Sequence, residues 1–248
     1  QVSGHPDSPA LLLLPGQANS HVWWRNLRSF FDDRFRVVTF DYRGTGATRS
    51  TMEAGCAWTT STFAGDAVAV LDSLGIGAAH VYGTSMGGRV AQVLAGEHPA
   101  RVARLALACT SPGGRHARER TQAVRRSLAD PDPRVRRTRL LRLMYTEERL
   151  ARDTSSTLLG DPTMTPEASR RHLRVSARHD AWDLLPLVSA PTLVLHGTDD
   201  EMTPASNAQL LATRVPAATL WLHDGGRHGF FDEFEEEVSP RVGDFLLA

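Results

Sequence analysis

The segment Gly83-Thr84-Ser85-Met86-Gly87 holds a serine between glycines two positions to either side. An apolar run, residues 79–82, leads into it, and the residues after it carry Val90, Val93 and Leu94 at helical spacing. A serine on a sharp strand-to-helix turn has its hydroxyl lifted clear of the sheet, and flanking glycines relieve the crowding that such a turn creates. The chemistry open to that hydroxyl is nucleophilic attack on a carbonyl. Serine is a weak nucleophile at its own pKa, so Ser85 needs a base within hydrogen-bond reach. The base in turn needs an acid that fixes its tautomer and stabilises the imidazolium.

The acid is expected in a loop after a late strand. Residues 192–196 run into Gly197-Thr198-Asp199-Asp200-Glu201-Met202-Thr203-Pro204. Asp199, Asp200 and Glu201 are adjacent, and spacing alone does not choose among them. Any one of the three could instead serve as a turn residue or an N-cap before Pro204.

Ten histidines are available for the base. His228 follows the last apolar run, within Asp224-Gly225-Gly226-Arg227-His228-Gly229-Phe230-Phe231, where glycines permit a tight loop and two Phe can exclude water. His223 ends that run and is the runner-up. His196 closes an apolar strand and reads as a satisfied core histidine. His21 follows the Gly16 loop and could line a pocket. His172 and His179 fall in a helical stretch where substrate contact is possible but not favoured. His5, His80, His98 and His116 sit in exposed-looking or helix-end contexts.

The oxyanion formed by attack needs two backbone donors. The Met86 amide, directly after the nucleophile, opens a helix whose dipole favours negative charge. The loop Pro15-Gly16-Gln17 supplies the second. Gly16 lets the backbone turn toward the site, leaving the Gln17 amide as donor.

The elements that must position these groups alternate. Residues 11–14, 36–40, 79–83, 104–109, 192–196 and 219–223 read as strands, and residues 63–74 as an amphipathic helix ending at Gly75. That alternation predicts an α/β fold: a mainly parallel sheet with helices on both faces. The rhythm breaks over residues 113–182, where segments 117–128 and 135–145 read as helices bounded by Pro131, Pro133, Pro162 and Pro166. This stretch reads as a helical cap, or lid, inserted into a core made of residues 1–112 and 183–248. It holds sixteen Arg against nine Asp plus Glu, a balance near +7 that leaves the remainder near −7. Most such charges simply face water. The functional alternative is a positive lid that draws in an anionic substrate.

A length of 248 residues suits one large α/β domain, and 41% apolar residues suffice for a sizeable core. Formal net charge is zero, which argues against a nucleic-acid partner; all 28 basic residues are Arg. No apolar run approaches the roughly 20 residues that cross a bilayer. Cys56 and Cys109 show no motif spacing, so two unpaired thiols in a reduced, cytoplasmic protein are expected. The opening Gln1-Val2-Ser3-Gly4 has no initiator Met, so an upstream segment is expected. No metal-ligand or cofactor motif is read, and nothing speaks of oligomeric state.

With these residues assembled, the chain resembles the α/β-hydrolase superfamily over essentially its whole length. The matching segments are residues 11–17, Asp41-Tyr42-Arg43-Gly44-Thr45-Gly46, and residues 83–88, 197–204 and 225–231. The family's Gly-x-x-Asp-x-x-x-Pro pattern falls on Gly197, Asp200 and Pro204, which selects Asp200 over its neighbours. Its terminal Gly-x-His-Gly-Phe-like segment falls on His228. Pro15-Gly16 departs from the His-Gly that many relatives carry, although a backbone donor does not require that His. The resemblance also implies an antiparallel N-terminal hairpin before Leu11, most of which this sequence does not contain. Within the superfamily the chain is most similar to 3-oxoadipate enol-lactonases and related small carboxylesterases, on the run of residues 36–50 and 83–113.

The resemblance implies a cofactor-free serine hydrolase acting on a small ester, lactone or thioester. Ser85 excludes the haloalkane dehalogenase and epoxide hydrolase chemistries, which need a carboxylate at that position. Carbon–carbon bond hydrolysis, perhydrolysis, lyase reactions and a non-catalytic ligand-binding role on the same fold stay open.

Overall fold

A computed structural model describes residues 1–48 and 57–248. Cys56 and the end of the 36–50 run lie outside the described residues. The strands are β1 (Val2–Ser3), β2 (Ala10–Leu14), β3 (Arg36–Thr39), β4 (Ala79–Thr84), β5 (Val102–Ala108), β6 (Thr192–Gly197) and β7 (Ala218–His223). They form one sheet in the order β1-β3-β2-β4-β5-β6-β7. β1 pairs antiparallel with β3, and every other pairing is parallel. The six expected strands are present within two residues at either end. β1, at two residues, is too short to carry a period.

A parallel sheet covered on both faces needs apolar residues at successive positions. Leu11, Leu12, Leu13 and Leu14 all have zero exposure, and the pleat sends them alternately to opposite sides. Leu12 and Leu14 pack with Val38, Val81, Leu107 and Val194 beneath α2 (Thr60–Ser73), α3 (Met86–Glu97) and α8 (Ser206–Arg214). Leu11 and Leu13 pack with Val37, Tyr82, Ala106 and Leu195 against α1 (Arg28–Asp32), α9 (Phe230–Glu233) and α10 (Glu235–Leu247). α2 starts three residues before the expected 63 because the Thr59 and Thr62 hydroxyls cap each other's backbone amides. It stops where Gly75 takes a φ of +66°.

Between β5 and β6 the chain adds no strand. It passes through α4 (Gln122–Leu128), α5 (Pro133–Met144), α6 (Glu147–Arg152) and α7 (Pro166–Arg178). Pro133 and Pro166 occupy first-turn positions, with Asp132 and Thr165 as N-caps. The helix expected over 117–128 begins only at Gln122. Buried Asn207 grips the backbone upstream of it: its Oδ1 accepts from the Arg118 amide at 2.8 Å and its Nδ2 donates to the Arg118 carbonyl at 2.9 Å. No described helix is long and apolar enough to cross a membrane.

The chain leaves β2 toward β3 on one side and returns to β4 on the other. Loops at the carboxyl ends of β2 and β4 therefore diverge and leave a crevice, the place where open parallel sheets bind ligands. Helix α3 closes tightly onto the end of β2. A Cβ on Gly87 would lie 2.0 Å from the Leu14 carbonyl oxygen and 2.6 Å from that of Pro15. Gly87→Ala must push these backbones apart, and urea denaturation should show a loss of about 2 kcal/mol or more. Unchanged stability would contradict this packing.

Candidate active site

Ser85 sits between β4 and α3 with φ +53° and ψ −117°, a conformation that costs on the order of 1–3 kcal/mol for a residue bearing a Cβ. Its surroundings hold it there. The Ser85 amide donates to the Ala108 carbonyl at 2.9 Å, and the Thr110 hydroxyl donates to the Ser85 carbonyl at 2.8 Å. Gln92, fully buried, donates to the Ser111 carbonyl at 3.1 Å and steadies the same loop. Close approach also explains two glycines: a Cβ on Gly83 would meet the Gly87 carbonyl at 2.5 Å, and one on Gly88 the Thr110 side chain at 2.7 Å.

His228 reaches the hydroxyl from the loop before α9. Its Nε2 lies 3.0 Å from Ser85 Oγ and its Nδ1 2.7 Å from Asp200 Oδ2. A carboxylate only accepts, so Nδ1 carries the proton and the Nε2 lone pair faces the Ser85 hydroxyl. Both partners are nearly sealed from water, His228 at 1% exposure and Asp200 at 4%. The two loops touch at Gly197, where a Cβ would lie 2.1 Å from the Gly226 carbonyl oxygen, and the Asp199 amide donates to that carbonyl at 2.9 Å. The His228 and Gly229 amides donate to the Leu143 and Met144 carbonyls at the end of α5.

Among the three adjacent acids only Asp200 points inward; Asp199 and Glu201 are exposed. Asp200 Oδ1 accepts from the Met202 and Thr203 amides at 2.9 and 2.8 Å. His196, a buried histidine as expected, directs Nε2 at the Thr203 carbonyl (2.7 Å) and at Asp200 Oδ2 (3.1 Å). No local pattern in the sequence announces its contact with the acid. Burial pushes the Asp200 carboxyl up, but the facing His228 and the bonds from His196 and His228 outweigh it and hold it well below the usual carboxylate range.

The other histidines lie elsewhere. His223 stacks on Phe234 with ring centroids 4.1 Å apart and faces Glu237, so the runner-up base is not at Ser85. His21 pairs with Asp41 at 2.7 Å. His80 is half-buried edge-on to Phe35, not exposed. His172 and His179 are both buried.

The Met86 amide is the first of α3, and neither it nor the Gln17 amide donates to a protein acceptor among the described residues. The Gln17 loop follows β2 and is wedged by Trp23: a Cβ on Gly16 would lie 2.4 Å from the indole, whose Nε1 donates to Thr84 Oγ1 at 2.9 Å. Among the described residues, no cluster of three or more His, Cys, Asp or Glu is placed to hold a metal ion. Thr110, Gln92 and Trp23 were invisible in the sequence because each acts through a contact between distant segments.

A family model for the alpha/beta hydrolase fold matches residues 9–235. The chain belongs to the α/β-hydrolases. It is 28% identical over 273 residues to the "Putative carbamate hydrolase RutD" of Caulobacter sp. (strain K31), covering 99% of this chain and 94% of that protein. It is 30% identical over 266 residues to the 2-hydroxy-6-oxononadienedioate/2-hydroxy-6-oxononatrienedioate hydrolase of Burkholderia vietnamiensis, with coverage of 96% and 86%. Among solved structures, the enol-lactonase from Burkholderia xenovorans LB400 superposes with a TM-score of 0.82 at 22% identity, covering 100% and 95% of the two chains. At that identity the match speaks for the fold alone.

In this α/β-hydrolase the lowered Asp200 carboxyl links stability to pH. Its proton is bound more weakly in the folded than in the unfolded chain, where the value is near 3.8. The stabilisation is therefore fully present above about pH 4 and is lost as pH falls toward the folded value. In urea melts the stability advantage of wild type over Asp200→Asn should narrow by roughly 1 kcal/mol between pH 5 and pH 3. A constant difference over that interval contradicts it.

Proposed function

We propose that this α/β-hydrolase is a cofactor-free serine hydrolase that cleaves a small ester, lactone or thioester through an acyl-enzyme. Ser85 Oγ attacks the carbonyl carbon while His228 Nε2 takes its proton. Asp200 holds the ring and faces the imidazolium that forms. The carbonyl oxygen, now negative, is received by the Met86 and Gln17 amides. His228 then returns the proton to the leaving group, and water activated by the same ring releases the acid. The observation that carries this reading is the buried relay from Asp200 through His228 to the Ser85 hydroxyl, with bonds of 2.7 and 3.0 Å. The related proteins named above, hydrolases of a carbamate and of a dioate, support hydrolysis as the reaction class.

The test uses short p-nitrophenyl esters and a fluorophosphonate probe. Ser85→Ala should lose several powers of ten in kcat and all labelling. Absence of label on wild-type Ser85 would instead favour a non-catalytic binding protein.

Residues 113–182 act, in this reading, as a cap over the core, and the substrate carries an anionic group. The cap's excess of Arg supports this, as does Arg120 near its start. Arg120 is half-buried and has no hydrogen-bond or ion-pair partner among the described residues. Burial pushes its guanidinium down, while the charges of Glu119 and Asp200 oppose that shift. A charge-assisted bond is worth about 1.5–3 kcal/mol. Arg120→Gln should therefore lower kcat/KM for a carboxylate-bearing ester roughly tenfold or more, and leave a neutral ester of similar size unchanged. Equal effects on both esters would rule the anionic assignment out.

A further inference from the structure

We infer that His172, on α7, is a positioning residue that sets the direction of the Gln17 amide. The inference rests on the oxyanion role proposed for that amide.

His172 has zero exposure and is packed among Tyr42, Trp58 and Phe63, with ring centroids 5.2–6.3 Å away. Its Nε2 lies 2.9 Å from the Arg43 carbonyl oxygen, which can only accept, so Nε2 carries the proton. Nδ1 is then an acceptor, and it receives the Ala18 amide at 3.3 Å. Burial lowers the tendency of the ring to protonate, although its bond to the Arg43 carbonyl opposes this, and the net shift preserves the neutral tautomer.

The Ala18 amide belongs to the peptide unit that follows Gln17. The other end of that unit is tied as well: the Gln17 carbonyl accepts from Asn19 Nδ2 at 2.8 Å. Ala18 has a φ of +57°, which an alanine holds only under constraint. Its own carbonyl accepts from the Asp161 amide at 2.7 Å, and Asn19 Oδ1 accepts from the Gly160 amide at 3.0 Å. Three residues of the β5–β6 crossover, His172, Gly160 and Asp161, thus fasten the loop that carries Gln17. The His172 bond has a particular geometric consequence. With the 17–18 peptide plane tied at both ends, the Cα of Gln17 is held in place, and its N–H, on the preceding 16–17 peptide, is positioned between this anchor and the Gly16 backbone wedged by Trp23. Without an acceptor at Nδ1, the Ala18 amide must find another partner, and the loop on either side, Gln17 and its N–H included, shifts with it.

Three substitutions separate the two ring nitrogens. Asn keeps an acceptor near Nδ1, Gln keeps a donor near Nε2, and Phe keeps only the ring. Each is measured for kcat, KM and inhibition by a trifluoromethyl ketone, which forms a tetrahedral adduct with its oxygen in the oxyanion position. Loss of one oxyanion donor costs on the order of 10²–10³ in kcat, so misdirecting one should cost roughly 10–100-fold. In His172→Phe and His172→Gln, kcat and ketone affinity should fall by that factor together, with KM within about threefold. His172→Asn should recover most of both. If His172→Phe does not fold, the Asn–Gln comparison alone decides. Three results overturn the inference: kcat within about threefold of wild type in the Gln variant, a kcat loss with unchanged ketone affinity, or an Asn variant no better than Gln. Fluorophosphonate labelling of wild-type Ser85 separates the two levels. An unlabelled wild type ends the hydrolase reading and this one with it, whereas a labelled wild type with flat variants ends this one alone.

Discussion

Everything at this site depends on a backbone held where side-chain-bearing residues rarely go. Ser85 keeps φ +53° because the strand before it, the helix after it and the Thr110 loop beside it leave it no other conformation. The sharp turn does two things at once. It lifts the hydroxyl into the crevice at the carboxyl end of the sheet, and it leaves the first amide of α3 without a protein acceptor among the described residues. Strain of this kind persists only where packing over-determines it. The glycines at 83, 87 and 88 make that packing possible, since each stands where a Cβ would meet backbone or Thr110.

Around this fixed point the remaining groups arrive from elements far apart in sequence. Asp200 comes from the end of β6, His228 from the end of β7, and the Gln17 loop from the end of β2. A parallel sheet brings all these ends to one edge. The helices between β5 and β6 then touch each arriving loop. The end of α5 accepts from His228 and Gly229, α7 and the residues before it hold the Gln17 loop, and Asn207 fastens Arg118 to the stretch after Asp200. Such contacts tie the crossover to the loops around Ser85 by directed hydrogen bonds, beyond apolar burial.

What was legible in the sequence follows from this arrangement. The turn at Ser85 and the loop at His228 are local, with glycines and apolar runs beside them, so both stood out at once. Asp200 was less so: three adjacent acids satisfy the same spacing, and only the family's pattern singled one out before burial separated it from exposed Asp199 and Glu201. The six long strands announced themselves by uninterrupted apolar runs, while β1 was too short to have a pattern. The start of α4 differs from the sequence pattern because Asn207, 89 residues away from Arg118, holds that stretch out of the helix. His172 looked unremarkable for the same reason. A histidine between Arg171 and Leu173 gives no hint that its ring is sealed against Ala18, 154 positions earlier.

In the proposed reaction the Ser85 hydroxyl, activated by His228, becomes the acyl carrier. The most direct measurement is peptide mass spectrometry after mixing the protein with p-nitrophenyl acetate and quenching in acid before turnover completes. One acetyl group should appear on the peptide containing Ser85, and none on that peptide in a His228→Ala variant. Release of nitrophenol with no acetyl on Ser85, or equal acetylation without His228, would contradict it.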